Sequence, residues 1–228
     1  MKINVENVNY SYKTKYQTVH AVQDVSCAFE EAKMYAIVGK SGSGKTTFLS
    51  LLAGLDVADE GKIIVGDEDL SKVNRDEYRR RKASVVYQSF QLFPLLTAGE
   101  NVMYPMEMRK IKRNEAAKKA KEFLTRVGLP DNIYRQYPLM MSGGEQQRVA
   151  IARALAAGGE ILLADEPTGN LDTENEKRIV ELLKRLAHED GYTVIVITHN
   201  LAVAAEADII YRMSDGKLAQ EKGGSADA

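Results

Sequence analysis

The sequence predicts an α/β protein: a mostly parallel sheet that opens with antiparallel strands and carries an inserted helical segment. Three observations predict it. Met34–Val38, Ile161–Ala164 and Val194–Ile197 are short, wholly apolar runs with helical stretches between them, the pattern of parallel strands buried on both faces. The opening instead alternates, with Ile3, Val5 and Val8 set among polar residues, and Val22 to Phe29 repeats the alternation, as half-buried antiparallel strands do. From Ser89 to about Met140 strand signal nearly vanishes.

Each element follows in order. After the run ending at Val38, a Gly-rich turn leads into an apolar helix, Thr46 to Ala53, which Gly54 stops. Asn114 to Val127 reads as a helix with Ala117, Ala120, Leu124 and Val127 on one face. Seven Lys/Arg fall between Arg109 and Lys121. They read as a solvated helix face; the alternative is contact with anionic lipid headgroups. The organisation expected is one domain over 1–222. Its α/β core spans 1–88 and 141–222, and its helical subdomain spans 89–140. The small polar tail, 223–228, is expected to be disordered.

Composition narrows the function classes. Lys+Arg total 31 against Asp+Glu 32, a formal net charge of −1, which argues against a nucleic-acid partner. The single Cys27 excludes an internal disulfide framework and suits a reducing compartment. No apolar run approaches the ~20 residues needed to cross a bilayer. The N-terminus lacks the apolar core of a signal peptide.

The Gly-rich turn runs from Gly39 through Lys40, Ser41, Gly42 and Ser43 to Gly44, Lys45, Thr46 and Thr47. It fits G-x-x-x-x-G-K-[ST] between a strand and a helix. Glycines there let backbone N–H groups curl around phosphate oxygens. Lys45 supplies a point charge for the outer phosphates, and Thr46 offers its hydroxyl to Mg²⁺. The helix that starts there directs the positive end of its dipole at the anion. The loop alone implies a nucleoside triphosphate.

Ile161-Leu-Leu-Ala-Asp165-Glu166 ends an apolar strand in two carboxylates. Asp165, at the carboxyl end of the strand, can reach the Mg²⁺ shell beside Thr46. Glu166, one residue on, points elsewhere and is placed to orient and deprotonate an attacking water. Thr198-His199 repeats this position after Val194–Ile197, so His199 faces the same crevice. His20 and His188 lack that context and read as structural.

Ser142-Gly-Gly-Glu-Gln-Gln-Arg is the most specific stretch. Ser142 caps a helix and Glu145 completes a capping box, while Gly143 and Gly144 leave room for close approach. The result is a second helix N-terminus suited to phosphate. One nucleotide does not easily use two such ends from one subunit, which points to binding between two chains.

On these motifs the chain resembles the ATP-binding cassette (ABC) ATPases over nearly its full length. Gly39–Thr46 is similar to their Walker A loop, Asp165–Glu166 to their Walker B pair, and Ser142 to Gln146 to their signature. Gln88 resembles the Q-loop glutamine, Gly169-Asn-Leu-Asp172 the D-loop, and His199 the switch histidine. The resemblance implies catalysis by Glu166, His199 and Gln88, with metal contacts from Thr46, Gln88 and Asp165. It implies an ATP-dependent head-to-tail homodimer. Each ATP would lie between one chain's Walker A loop and the other chain's Ser142, Gly143, Gly144 and Asp172. It also implies that Tyr12 stacks on adenine, with Tyr10 and Tyr16 close by as alternatives.

The signature reads Met141-Ser-Gly-Gly-Glu145, where the family most often has Leu and Gln at the ends. Gly54-Leu-Asp56 and Gln91-Leu-Phe-Pro-Leu-Leu-Thr97 resemble the branch that serves lipoprotein release, macrolide and antimicrobial-peptide efflux, and cell division. The resemblance therefore implies a bacterial ATPase at the cytoplasmic face of the plasma membrane. It would power a separate permease that exports or extracts a peptide, lipid-linked or hydrophobic substrate. The alternative is an ATPase that drives a signalling or cell-wall-hydrolase-activating complex without transport. The apolar segment Ser89–Leu96 beside Gln88 is expected either to line a groove for a permease helix or to tuck Phe90, Leu92 and Phe93 into the subdomain's own core.

Overall fold

The computed structural model describes residues 1–221, so the tail at 223–228 lies outside the described residues. In chain order the strands and helices are β1 (Ile3–Lys13), β2 (Thr18–Phe29), β3 (Met34–Val38), α1 (Lys45–Leu52), β4 (Glu60–Val65), β5 (Glu68–Asp69), α2 (Arg75–Arg81), β6 (Ala83–Tyr87), α3 (Ala98–Met108), α4 (Arg113–Arg126), α5 (Gly143–Ala156), β7 (Ile161–Asp165), α6 (Thr173–His188), β8 (Thr193–Ile197), α7 (Leu201–Ala205), β9 (Ile209–Ser214) and β10 (Lys217–Glu221). Short 3-10 turns at Asp131–Arg135 and Pro138–Met140 lead from α4 to α5.

Two sheets form. The order β10-β9-β3-β8-β7-β6 makes a six-stranded sheet, parallel except for the β9–β10 hairpin. The order β2-β1-β4-β5 makes a separate antiparallel sheet. The apolar runs of β3, β7 and β8 divide by alternation between two cores. Tyr35, Ile37, Leu163, Ile195 and Ile197 join a core shared with α1 and the antiparallel sheet. Met34, Ala36, Val38, Leu162, Ala164, Val194 and Val196 join a second core with α5 and α6. That second core continues through Ala98, Val102, Met106, Ala120 and Leu124 to Ile133. The helices between β6 and α5 thus share one apolar mass with the sheet.

Helix α4 turns Ala116, Ala120 and Leu124 inward, with Val127 buried just past its end and Ala117 half-buried against the same core, the face read from periodicity. It packs against both α3 and α5. Within the 89–96 segment, Phe90 and Leu92 pack on the second core. Phe93 stays 40% exposed and meets the Tyr104 ring at 4.7 Å. Of the three side chains expected to tuck in, Phe90 and Leu92 do so and Phe93 does not.

The chain that follows β6 is held in place by Asn101, fully buried in α3. Its Nδ2 donates to the carbonyls of Phe93, Leu96 and Thr97, and its Oδ1 accepts from the Phe93 N–H at 2.8 Å. Thr97 and Glu100 close a capping box at the same helix start. Replacing Asn101 with Leu keeps the volume but strands an N–H and up to three carbonyls. Urea denaturation should show a loss of about 2–3 kcal/mol, the cost of leaving buried polar groups unpaired.

Candidate functional site

Parallel pairing sets Ile37 beside Ile197, Ile197 beside Asp165, and Asp165 beside Tyr87. The carboxyl ends of β3, β8, β7 and β6 therefore open onto one crevice, where ligands bind in sheets of this kind. A cleft of about 770 Å³ is found there, lined by Tyr12, Val19, His20 and Ala21, by the Gly39–Thr47 loop without Ser43, and by Gln88, Asp165, Glu166, Ile197 and His199.

The loop is shaped by close approaches. A Cβ on Gly39 would lie 2.2 Å from the Met213 carbonyl oxygen, and one on Gly44, at φ 103°, would lie 2.1 Å from that of Ala21. Gly42 is different: its φ is 77°, with open space around it. Lys45 is buried and donates to the carbonyls of Gly39 and Lys40, each at 2.8 Å. Burial holds its ammonium below the usual lysine range, opposed by the nearby Glu166 and Asp165 carboxylates. Ser43 Oγ is buried without a hydrogen-bond partner. A buried cation satisfied only by carbonyls, beside an unpartnered hydroxyl, suits an anion such as phosphate.

The two carboxylates separate as their positions required. Thr46 Oγ1 donates to Asp165 Oδ2 at 3.3 Å, and burial raises the Asp165 carboxyl above the usual aspartate range. Glu166 turns away in a left-handed conformation, φ 48°, fixed by its N–H to the Ile197 carbonyl at 2.9 Å. Its Oε1 meets His199 Nδ1 at 2.9 Å. Gln88 lines the cleft, yet its Nε2 donates to Asn170 Oδ1 at 3.2 Å rather than to a group beside Asp165. Tyr12 lines the cleft with its hydroxyl 3.2 Å from Thr47 Oγ1, whereas neither Tyr10 nor Tyr16 is among the lining residues.

Ser142 caps α5, and its capping box with Glu145 is complete. Ser142, Gly143, Gly144 and Asp172 are absent from the cleft lining. Ser142 is exposed, but Gly144 is buried against α6, where a Cβ would meet Asn175 Oδ1 at 2.2 Å. Room for close approach was expected at both glycines; at Gly144 the group that approaches is Asn175 of the same chain. Asp172 caps α6 by accepting from the Asn175 N–H at 2.9 Å, and hydrogen bonds from Asn175 lower its carboxyl below the usual range.

His188 pairs with Asp208 at 2.9 Å, a structural role as expected. His20 needs correction: it borders the cleft, with Nδ1 2.9 Å from Ser11 Oγ. A lone His on an exposed strand carries no sequence signal of this position. Arg153 was also missed as a residue with a role, and Asn170 was read only as part of the Gly169–Asp172 motif. Arg153 bonds the Phe90 and Gln91 carbonyls, and only tertiary contact shows it.

The comparisons agree with this geometry. The ABC transporter family matches residues 22–169. An ABC transporter ATP-binding protein of Bacillus subtilis, YclH, is 41% identical over 216 residues, covering 95% of each chain. The macrolide export ATP-binding/permease protein MacB of Aggregatibacter actinomycetemcomitans is 36% identical over 95% of this chain, which spans only 34% of MacB. The ATP-binding cassette MJ0796, from Methanocaldococcus jannaschii, has a solved dimeric structure in a post-hydrolysis state bound to ADP and Pi. That structure superposes with a TM-score of 0.89 at 37% identity, covering 99% of this chain and 100% of MJ0796. The fold and site define an ATP-hydrolysing phosphate-loop cassette, and the chain belongs to the ABC transporter family.

Gly39→Ala and Gly42→Ala should behave differently. The first forces a backbone clash and should abolish ATP binding and lower the Tm. The second costs only left-handed strain, about 1–2 kcal/mol, and should retain binding. Titration with a fluorescent ATP analogue, alongside thermal unfolding, checks both.

Proposed function

We propose that the chain is the ATP-hydrolysing, nucleotide-binding subunit that powers a separate membrane permease, for export or extraction of a peptide, lipid-linked or hydrophobic substrate. The observation that carries this reading is the separation of two phosphate-suited helix ends. The Lys45 end lines the cleft; the Ser142 end is exposed and does not. A second chain, placed head to tail, brings its Ser142 and Gly143 to the first chain's nucleotide. The dimeric MJ0796 cassette supports a dimer. Tyr12, at the rim of the cleft, is the proposed adenine contact.

The donor set fits Mg²⁺. Among the described residues no three His, Cys, Asp or Glu side chains form a metal cluster. Mg²⁺ needs none, because it keeps waters and substrate phosphates and takes one or two protein oxygens. Thr46 Oγ1 and Asp165 Oδ2, side by side, would hold it, and it would supply charge neutralisation at the phosphates. Gln88 is proposed to complete this side of the cleft.

The chain's own residues then divide the work. Lys45 and the Gly39–Thr46 backbone bind and orient the phosphates. Glu166 takes the proton of the attacking water at a carboxylate oxygen. His199, bonded to Glu166 Oε1, orients that carboxylate. Glu166→Gln keeps the shape and removes the proton acceptor. Turnover should fall by roughly 10²–10⁴, and gel filtration with ATP and Mg²⁺ should show an accumulated dimer. Normal hydrolysis by this variant would remove Glu166 from the role.

No helix among the described residues is long and apolar enough to cross a membrane; the reading takes the permease to be a separate chain, with this one bound at its cytoplasmic face. Phe93, Leu95, Tyr104 and Met108 are exposed, large and apolar on or just before α3. They are the proposed groove for a cytoplasmic permease helix. Phe93→Ala should weaken permease binding and permease-stimulated hydrolysis by about 1–3 kcal/mol, as for a buried interface anchor. Basal hydrolysis should change far less. Co-purification and ATPase assays with and without permease decide it.

A further inference from the structure

We propose that Asn170 is a positioning residue for hydrolysis that acts through Gln88; this rests on the reading that Gln88 serves the reaction. Gln88 Nε2 donates to Asn170 Oδ1 at 3.2 Å, while Asn170 Nδ2 donates to the Gln88 carbonyl at 3.1 Å. The two bonds clasp the side chain and the backbone of the glutamine at once. Asn170 does not line the cleft, whereas Gln88 does. Within its own chain, Asn170 therefore reaches the cleft only through Gln88.

The surroundings make this clasp the deciding contact. Gln88 is exposed, and a free glutamine side chain loses rotamer freedom on being fixed. The chain just beyond it is already anchored. Arg153 of α5 donates to the Gln91 carbonyl at 2.7 Å and the Phe90 carbonyl at 3.2 Å. It stabilises two consecutive left-handed residues, Phe90 at φ 59° and Gln91 at φ 47°. What is left to Asn170 is the Gln88 side chain itself.

The other side of the clasp is equally prepared. Gly169 lets Gln88 approach, since a Cβ there would fall 2.8 Å from Gln88 Nε2. The turn is closed by the Gly169 N–H to the Glu166 carbonyl and the Leu171 N–H to the Thr168 carbonyl, each at 3.1 Å. Asp172 ends the turn by capping α6. The platform that carries Asn170 therefore begins at Glu166. The clasp fixes Gln88 relative to the residue that takes the proton. Asparagine suits the position because it donates and accepts together; aspartate only accepts, and alanine does neither.

The test uses the purified full chain and its basal MgATP hydrolysis, in wild type, Gln88→Ala, Asn170→Ala and the double variant. Asn170→Ala should lower kcat by about tenfold, as loss of two modest hydrogen bonds would, with KM for ATP within about twofold because the Lys45 loop is untouched. The double variant should be no slower than Gln88→Ala alone, the non-additivity of residues that act as one unit. Asn170→Asp should resemble Asn170→Ala, since it faces the Gln88 carbonyl with an oxygen. A purely structural role would lower the Tm and multiply in the double variant, and that result overturns the proposal. So does wild-type kcat in Asn170→Ala when Gln88→Ala is impaired. Wild-type kcat in Gln88→Ala would overturn the role of Gln88 and the proposal together.

Discussion

Three adjacent parallel strands, β3, β8 and β7, are buried on both faces, and the rest of the molecule is arranged around that burial. Alternate side chains feed two cores, one beneath the antiparallel sheet and one beneath α5 and α6. At roughly 1.5–3 kcal/mol for each fully buried Val, Leu or Ile, these strands are where unfolding is most costly. They leave nowhere for polar chemistry except their ends. Parallel connections then put every carboxyl end on the same edge, so Gly39, Gln88, Glu166 and His199 follow strands that point to one crevice.

The crevice is built by exclusion of side chains as much as by their presence. Gly39 and Gly44 lie against the carbonyls of Met213 and Ala21, so the phosphate loop is pressed between β9 and β2. Glu166 holds a left-handed backbone without being glycine, a conformation that costs of order 1–3 kcal/mol and persists where its surroundings over-determine it. The Ile197 carbonyl and His199 supply that determination here. Strain is thus kept at the residue whose direction matters most.

A second set of contacts links this crevice to the helical segment. Asn101 pins the chain around Phe93, Arg153 pins Phe90 and Gln91, and Asn170 clasps Gln88. Three polar side chains, Asn101 buried, Arg153 half-buried and Asn170 exposed, therefore hold ten residues that contain almost no regular structure. Movement of an apolar partner against Phe93 would act on a segment with little slack, which is how a contact at Phe93 could reach Gln88 without sharing an atom.

Much of this was legible in the residues themselves. Double-sided burial wrote continuous apolar runs, the loop wrote its glycines and Lys45, and helix capping wrote Ser142 and Glu145, because each is a local requirement met by neighbours in the chain. The α4 face, Ala120, Leu124 and Val127 with Ala117 at its edge, was legible from its period. Gly144 was read as leaving room for close approach, but a glycine does not say what approaches it; here Asn175 of α6 does. His20 and Arg153 gave no signal, and the motif that holds Asn170 did not say what it bonds, since their partners lie 9, 62–63 and 82 positions away. The sequence by itself determined the strands, the phosphate loop and the position of Asp165 and Glu166 at the carboxyl end of a strand, for these rest on periodicity and short-range chemistry. Only the tertiary structure decided which groups face the cleft, which glycines are filled by a neighbour, and what holds Gln88, because those depend on contacts between residues distant along the chain.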